Sequence, residues 1–147
     1  MTYYAVIDTN ILVSAMMSHH ADSATVQIVD KMIEGQIIPV YSDEIMDEYR
    51  EVLHRKKFKF SSNLVEYILS AIRIYGIDVS PAPTGEVLPD MKDLPFYEVV
   101  YEKKDEGAYL VTGNLKHFPV KPFIVTARQM LNIISGKEAP GDLTGLD

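Results

Sequence analysis

Acidic and amide side chains at four separated places are the residues of this chain most suited to chemistry. Asp8 follows an apolar run, five acids crowd the segment 42–51, Asp93 lies in a later acidic segment, and Asn114 follows a Thr-Gly pair. Oxygen ligands of this kind suit Mg²⁺ or Mn²⁺ better than zinc. The sequence also has no glycine-rich phosphate loop and no serine nucleophile elbow. The pattern therefore indicates a site for a hard divalent cation.

Helix capping is the competing explanation for several of these positions. Asp8, or Thr9 or Asn10 beside it, could bind the free amides of a following helix. Asp90 or Asp93 could do the same for a later helix. Asparagine after glycine is above all a turn signal. Taken singly, these residues do not decide between a structural and a chemical role.

The acidic segment 42–51 predicts a helix with one acid turned inward. Glu44 and Glu48 are four residues apart and share a helix face, so they repel each other unless a cation lies between them. A solvated helix face with acids in its first turn is the plain alternative. Because Glu48 borders the apolar stripe that contains Ile45 and Tyr49, we expect it to reach toward the core.

The hydrophobic pattern predicts the elements that must position these side chains. Short runs rich in β-branched and aromatic residues predict buried strands at 3–7, 37–41, 108–111 and 123–125. Amphipathic stretches predict helices at 11–17, 21–35, 43–53, 62–76, 93–106 and after Thr126. This alternation predicts an α/β protein, a three-layer α/β/α sandwich with a mostly parallel central sheet of four to five strands. Asp8 and the turn at 112–114 then both lie at the carboxyl edge of that sheet.

Composition limits the classes to which the protein can belong. The chain has 147 residues, no cysteine and a net charge of −7. We expect one domain over 1–135 and a frayed tail over 136–147. The lack of cysteine excludes disulfide scaffolds and thiolate metal sites, and the acidic balance argues against coating nucleic acid by charge alone. With no apolar run of about 18 residues and no visible secretory signal, we expect a cytoplasmic protein without a membrane partner.

Four passages occur together in one order: AVIDTNILVSAM, SDEIMDEYREVL, DMKDLPFYEVV and AYLVTGNLKHF. Through them the chain resembles the PIN domain family over about residues 3–134, and within it the toxins of bacterial and archaeal toxin–antitoxin pairs. The resemblance implies a Mg²⁺- or Mn²⁺-dependent endoribonuclease that hydrolyses RNA phosphodiester bonds. It also implies a cognate antitoxin protein as partner and a homodimer.

The same resemblance implies which residues form the site. Asp8, Glu48 and Asp93 correspond to three metal-binding acids. The fourth position of the family, often an aspartate, falls on Asn114, which offers a carbonyl oxygen but no charge and puts a fully occupied second metal site in doubt. The supporting residues would be Thr9, Asn10, Glu44 and Thr112.

A basic stretch at 50–59 has a local net charge of +4, with Phe58 inside it and Phe60 directly after it. It could guide a single strand of RNA to the acidic site. It could also be a solvated helix end, where cations complement the helix dipole. The candidate RNA contacts are Arg50, Arg55, Lys56, Lys57 and Lys59.

Two other functions stay open at this point. A haloacid-dehalogenase-like phosphatase also begins with an apolar strand and an aspartate, but that class usually has a second acid where this chain has Asn10. A degenerate PIN-like module that binds RNA or a partner protein without cutting is the other, because position 114 is Asn114.

Overall fold

Five short parallel strands form the centre of the computed structural model, which describes residues 1–136. The strands are β1 (Tyr3–Ile7), β2 (Ile37–Tyr41), β3 (Ile77–Asp78), β4 (Tyr109–Val111) and β5 (Ile124–Val125). Their order in the sheet is β3-β2-β1-β4-β5, with all pairs parallel. The direction of winding reverses beside β1, so β1 and β4 form the topological switch point, where open α/β sheets bind ligands at the carboxyl ends of their strands.

Six α-helices flank this sheet within residues 1–136, and they complete a three-layer α/β/α sandwich. They are α1 (Thr9–Met17), α2 (Ala24–Ile33), α3 (Asp43–Leu53), α4 (Ser62–Tyr75), α5 (Leu94–Lys103) and α6 (Ala127–Ile134). Helix α2 contacts α1 and α6, α3 contacts α4 and α5, and α5 lies against the central strands. The predicted fold class is confirmed. No helix in this part of the chain is long and apolar enough to cross a membrane.

Local sequence signals set most helix starts. The side chains of Ser42 and Ser61 accept hydrogen bonds from amides in the first turns of α3 and α4. Thr126 and Gln129 form a reciprocal capping box at the start of α6. Helix α2 begins at Ala24, three residues later than predicted, because Ser23 caps it. These caps fix where each helix leaves the sheet edge.

The structure adds one strand to the predicted set and divides one predicted helix. The sequence pattern did not indicate β3, because it has only two residues and both are exposed at the sheet edge. The helix predicted over 93–106 divides into α5 and two short 3₁₀ turns, Met91–Asp93 before it and Lys104–Glu106 after it. The frayed tail predicted for 136–147 lies, apart from its first residue, outside the described residues.

Candidate active site

Asp8 follows the last residue of β1 at the centre of the sheet. The residue is only 5% exposed, and its backbone amide donates to the carbonyl of Val111 on β4. Although it holds the N-cap position of α1, its side chain makes no capping hydrogen bond. The capping explanation therefore does not account for this buried carboxylate.

Neutral groups from two directions hold the Asp8 carboxylate. The Thr112 hydroxyl donates to Asp8 Oδ2 at 2.7 Å, and Asn10 Nδ2 donates to the same oxygen at 3.4 Å. Asn10 Oδ1 in turn accepts from the amide of Gly113 at 3.2 Å. The start of α1 and the turn after β4 are thus joined around Asp8.

Glu48 reaches the same edge from α3. It lies on the second turn of that helix, and its Oε2 accepts a 2.5 Å hydrogen bond from the Thr9 hydroxyl. Tyr49 beside it is buried and donates to the carbonyl of Ile7, the last residue of β1. The inward turn expected for Glu48 is therefore what the structure shows.

Asp93 precedes α5 and is 18% exposed. Like Asp8 it makes no capping bond, whereas Asp90 caps the preceding 3₁₀ turn through the amide of Lys92. Asp93 Oδ2 instead lies 3.0 Å from Nδ1 of His117, in the turn after β4. The capping role thus belongs to Asp90 and leaves the Asp93 carboxylate for another purpose.

Burial disfavours the charged forms of all three carboxylates, and repulsion from the other site acids adds to this for Asp8 and Glu48. Burial raises the pKa of Asp8 to about 6, the Thr112 hydrogen bond opposes the shift, and the charges of Asp93 and Glu48 add to it. Burial also raises the pKa of Glu48 against the hydrogen bond from Thr9, and the charge of Asp93 raises it further. For Asp93, burial raises the pKa while the bond from His117 lowers it. The three side chains therefore lie within one another's electrostatic reach.

Comparison with known families agrees with this arrangement. A family model described as PIN domain matches residues 4–116, which include β1 from its second residue, β2 through β4 and all three carboxylates. The chain belongs to the PIN domain family. No curated protein and no solved structure matches it in the corresponding comparisons. Membership indicates a nuclease and replaces the phosphatase interpretation, because that alternative rested on β1 and Asp8 alone.

The three acids of this PIN domain do not yet form a closed ligand cage. Within residues 1–136, no group of three or more acidic or histidine side chains is close enough together to hold a metal ion. Asp8, Glu48 and Asp93 also form no ion pair with a lysine or arginine in that part of the chain. Among residues 1–136, no lysine or arginine therefore balances the charge of these acids by direct contact, and only Asp93 has a histidine partner.

Within residues 1–136, the side chains of two other predicted site residues take no part in the hydrogen bonds around Asp8, Glu48 and Asp93. Glu44 is exposed one turn before Glu48, and within the described residues its side chain makes no hydrogen bond or ion pair. Asn114 is exposed, and the structure ties it to the site through its backbone, whose amide donates to the Thr112 hydroxyl at 3.0 Å. Their assigned roles stay predictions.

The basic stretch divides into paired arginines and free lysines. Arg50 binds Glu66 on α4 at 3.1 Å, and Arg55 binds Glu51 at 2.8 Å. Within residues 1–136, the ion pairs include none formed by the exposed residues Lys56, Lys57 and Lys59. Next to them the rings of Phe58 and Phe60 stack with centroids 5.3 Å apart. The charge of Arg55 lowers the pKa of Glu48, which places this stretch near the acidic edge.

Sequence reasoning missed the part played by His117. No local spacing in the sequence singles out His117, because Asp93, the carboxylate that it contacts, lies 24 residues away. Its position in the AYLVTGNLKHF passage, three residues after Asn114, was the only available signal. The PIN resemblance by itself did not assign it a role.

Proposed function

We propose that this PIN domain is a metal-dependent endoribonuclease whose site is formed by Asp8, Glu48 and Asp93. The observation that carries the proposal is the buried Asp8 carboxylate, which ends the central strand without capping a helix. Two further carboxylates raise its pKa, and only neutral donors contact it. Such uncompensated negative charge costs stability unless a cation enters the site.

The donor set fits Mg²⁺ or Mn²⁺ even though three side chains do not close around one point. Mg²⁺ usually keeps several waters and binds through one or two carboxylates together with substrate phosphate. Asp8, Glu48 and Asp93 offer carboxylate oxygens from three elements that meet at one edge. They would hold the ion, and the chemistry it would supply is activation of water and charge stabilisation at the phosphate.

The surrounding residues of the chain orient the acids and attract the substrate. Thr9 and Thr112 donate hydroxyl protons to Glu48 and Asp8, which leaves the other carboxylate oxygens available to ligands. The basic stretch 50–59 offers free lysines and a phenylalanine stack close to the acidic edge, a combination suited to single-stranded RNA. Asn114, in this proposal, occupies the fourth acidic position as a neutral oxygen donor.

A cleavage assay tests the proposal. Wild type should cut a single-stranded RNA in Mg²⁺ or Mn²⁺ and stop in EDTA. Asp8→Asn should cut at least about 100-fold more slowly than wild type. Removing a residue that only orients a metal ligand costs up to about 100-fold, and Asp8 is proposed to be a ligand itself. Asp30→Asn, an exposed acid on α2, is the matched control and should cut like wild type.

Two results would contradict this function. Equal cleavage by Asp8→Asn and wild type would remove Asp8 from the site. RNA binding without cleavage in either metal would instead favour the degenerate binding module. Two observations support that alternative: Asn114 is neutral, and residues 1–136 contain no closed three-residue metal cluster.

A DNA strand of the same sequence, assayed in parallel, shows whether the activity is specific for RNA.

We also propose that the protein is the toxin of a toxin–antitoxin pair, with a cognate antitoxin and a homodimeric state. Support for this comes from the similarity of the four sequence passages to toxin members of the family. Expression in bacterial cells provides the test: wild type should arrest growth, while Asp8→Asn, made at the same level, should not. Growth unaffected by an active nuclease would contradict the toxin assignment.

A further inference from the structure

The turn after β4, residues 112–117, contacts two carboxylates that belong to different elements. At its start, the Thr112 hydroxyl donates to Asp8 at 2.7 Å. At its end, His117 Nδ1 lies 3.0 Å from Asp93 Oδ2. Asp8 follows β1 and Asp93 precedes α5, so this turn bridges acids whose elements are far apart in sequence.

Internal hydrogen bonds make the turn a fixed spacer. The amide of Asn114 donates to the Thr112 hydroxyl at 3.0 Å, and the amide of His117 donates to the carbonyl of Asn114 at 3.0 Å. Gly113 donates to the Asn10 side chain, and Phe118 is buried directly after the turn. The two ends of the turn therefore keep a defined separation.

Nothing on its own helix fixes the direction of the Asp93 carboxylate. Asp93 has helical backbone angles and makes no capping bond, and the cap of the preceding 3₁₀ turn comes from Asp90. The hydrogen bonds and ion pairs of residues 1–136 give its carboxylate one side-chain partner, His117. The hydrogen bond from the turn after β4 is therefore the side-chain contact that can set the direction of this carboxylate.

We propose that His117 is a positioning residue that holds the Asp93 carboxylate in the site through its Nδ1 hydrogen bond. Together with Thr112 it makes the turn 112–117 a bracket that sets the spacing of Asp8 and Asp93. The metal-binding consequence rests on the proposed function. His117 fixes the direction of the Asp93 carboxylate in the metal-free protein as well.

Two substitutions of His117 separate its hydrogen bond from its bulk. His117→Asn keeps an N–H donor near the place of Nδ1, whereas His117→Leu keeps volume without a donor. His117 is 39% exposed, so both proteins should fold. Lys116→Leu, at an exposed neighbouring position of the same turn, is the control for added apolar surface.

Mn²⁺ binding, followed by the electron paramagnetic resonance of free Mn²⁺, is the first measurement. His117→Leu should weaken binding by about 10- to 100-fold, the usual loss when a partner that orients a ligand is removed. His117→Asn should stay within about threefold of wild type, because an amide donor restores the bond. Lys116→Leu should match wild type. Equal weakening by His117→Leu and His117→Asn would overturn the proposal.

Crystal structures of the metal-free proteins are the second measurement. The Asp93 carboxylate should keep its direction in His117→Asn and turn away in His117→Leu. An unchanged direction of the Asp93 carboxylate in His117→Leu would overturn the inference, whether or not the wild type binds Mn²⁺. A wild type that binds no Mn²⁺ would count against the proposed function and not against the inference. If His117→Leu binds Mn²⁺ like wild type while Asp8→Asn does not, the inference fails and the proposed function stands.

Discussion

Glu48 and Glu51 lie three residues apart on α3 and have opposite surroundings. Glu51 is exposed and bonded to Arg55 at 2.8 and 3.0 Å, and that hydrogen bond lowers its pKa. Glu48 is half-buried and bonded to the neutral hydroxyl of Thr9, and burial raises its pKa. Two neighbouring positions of one helix thus carry an acid paired with an arginine and an acid that no lysine or arginine among residues 1–136 contacts.

The same contrast separates Glu66 from Asp8. Glu66 on α4 binds Arg50 at 3.1 Å and His54 at 3.3 Å, while Asp8 has only Thr112 and Asn10 as side-chain partners among residues 1–136. Glu51 and Glu66 pair with arginines, whereas Asp8 and Glu48 pair with no lysine or arginine among residues 1–136. Leaving buried charge unpaired costs free energy, and such arrangements concentrate at functional sites.

The largest expected effect comes from neutralising each member of the α3 pair in turn. Glu48→Gln should lower metal-dependent RNA cleavage by at least about 100-fold, because it removes a proposed ligand charge. Glu51→Gln should stay within about twofold of wild type, because exposed ion pairs contribute little. Cleavage rates at saturating Mn²⁺ measure both. Equal losses in the two variants would show that the contrast on α3 has no functional meaning.

Stability against pH tests the cost of the uncompensated charge at Asp8. Its pKa rises from 3.8 to about 6 on folding, so the folded protein holds the proton more tightly than the unfolded chain. The protonated Asp8 therefore contributes to the free energy of unfolding at about pH 4, and this contribution is lost as the pH rises through about 6. In EDTA, Asp8→Asn should therefore stabilise the protein by up to about 3 kcal/mol at about pH 7.5 and by little at about pH 4.

Urea unfolding of wild type and Asp8→Asn at the two pH values provides the measurement. Asp30→Asn, whose side chain is exposed, should show no difference between them. A gain in stability that is the same at both pH values would mean that the charge of Asp8 is not its cause.

RNA affinity distinguishes the free lysines of the basic stretch from its paired arginines. Neutralising Lys56, Lys57 and Lys59 together should weaken binding about tenfold and reduce the salt dependence by about two units of log–log slope, given about 0.7 per phosphate contact. Removing the Arg55–Glu51 pair as a double variant changes no net charge and should leave the slope unchanged. Fluorescence anisotropy in the inactive Asp8→Asn background provides the measurement, and equal slopes in the two variants would contradict a role for the lysines.

The smallest expected effect concerns Asn114. Asn114→Asp adds a charge at the proposed fourth position and should tighten binding of a further ion, so cleavage at limiting Mg²⁺ should hold or rise by about two- to fivefold. Asn10→Asp provides a comparison, because it adds the same charge beside Asp8 but removes the Nδ2 donor that binds it. A large loss of activity in folded Asn114→Asp would show that the amide itself is required.

Much of the scaffold could be predicted from local sequence. The apolar runs 3–7 and 37–41 are β1 and β2 as the structure has them, and Ser42, Ser61 and Thr126 cap the predicted helices. Period and capping are local properties, so they can be predicted without knowing the fold. β3 could not be predicted, because two exposed residues carry no pattern and pair only when β2 offers an edge.

The candidate site divides in the same way. The sequence by itself determined that Asp8 follows a buried strand and that Glu48 borders the apolar stripe of its helix, and both facts follow from periodicity alone. Only the tertiary structure decided which acids pair with an arginine or a histidine. Arg50 meets Glu66 because α3 packs on α4, and His117 meets Asp93 because the turn after β4 reaches the start of α5. Burial and pairing depend on neighbours from other elements, and desolvation together with those neighbours sets the charge state of each acid.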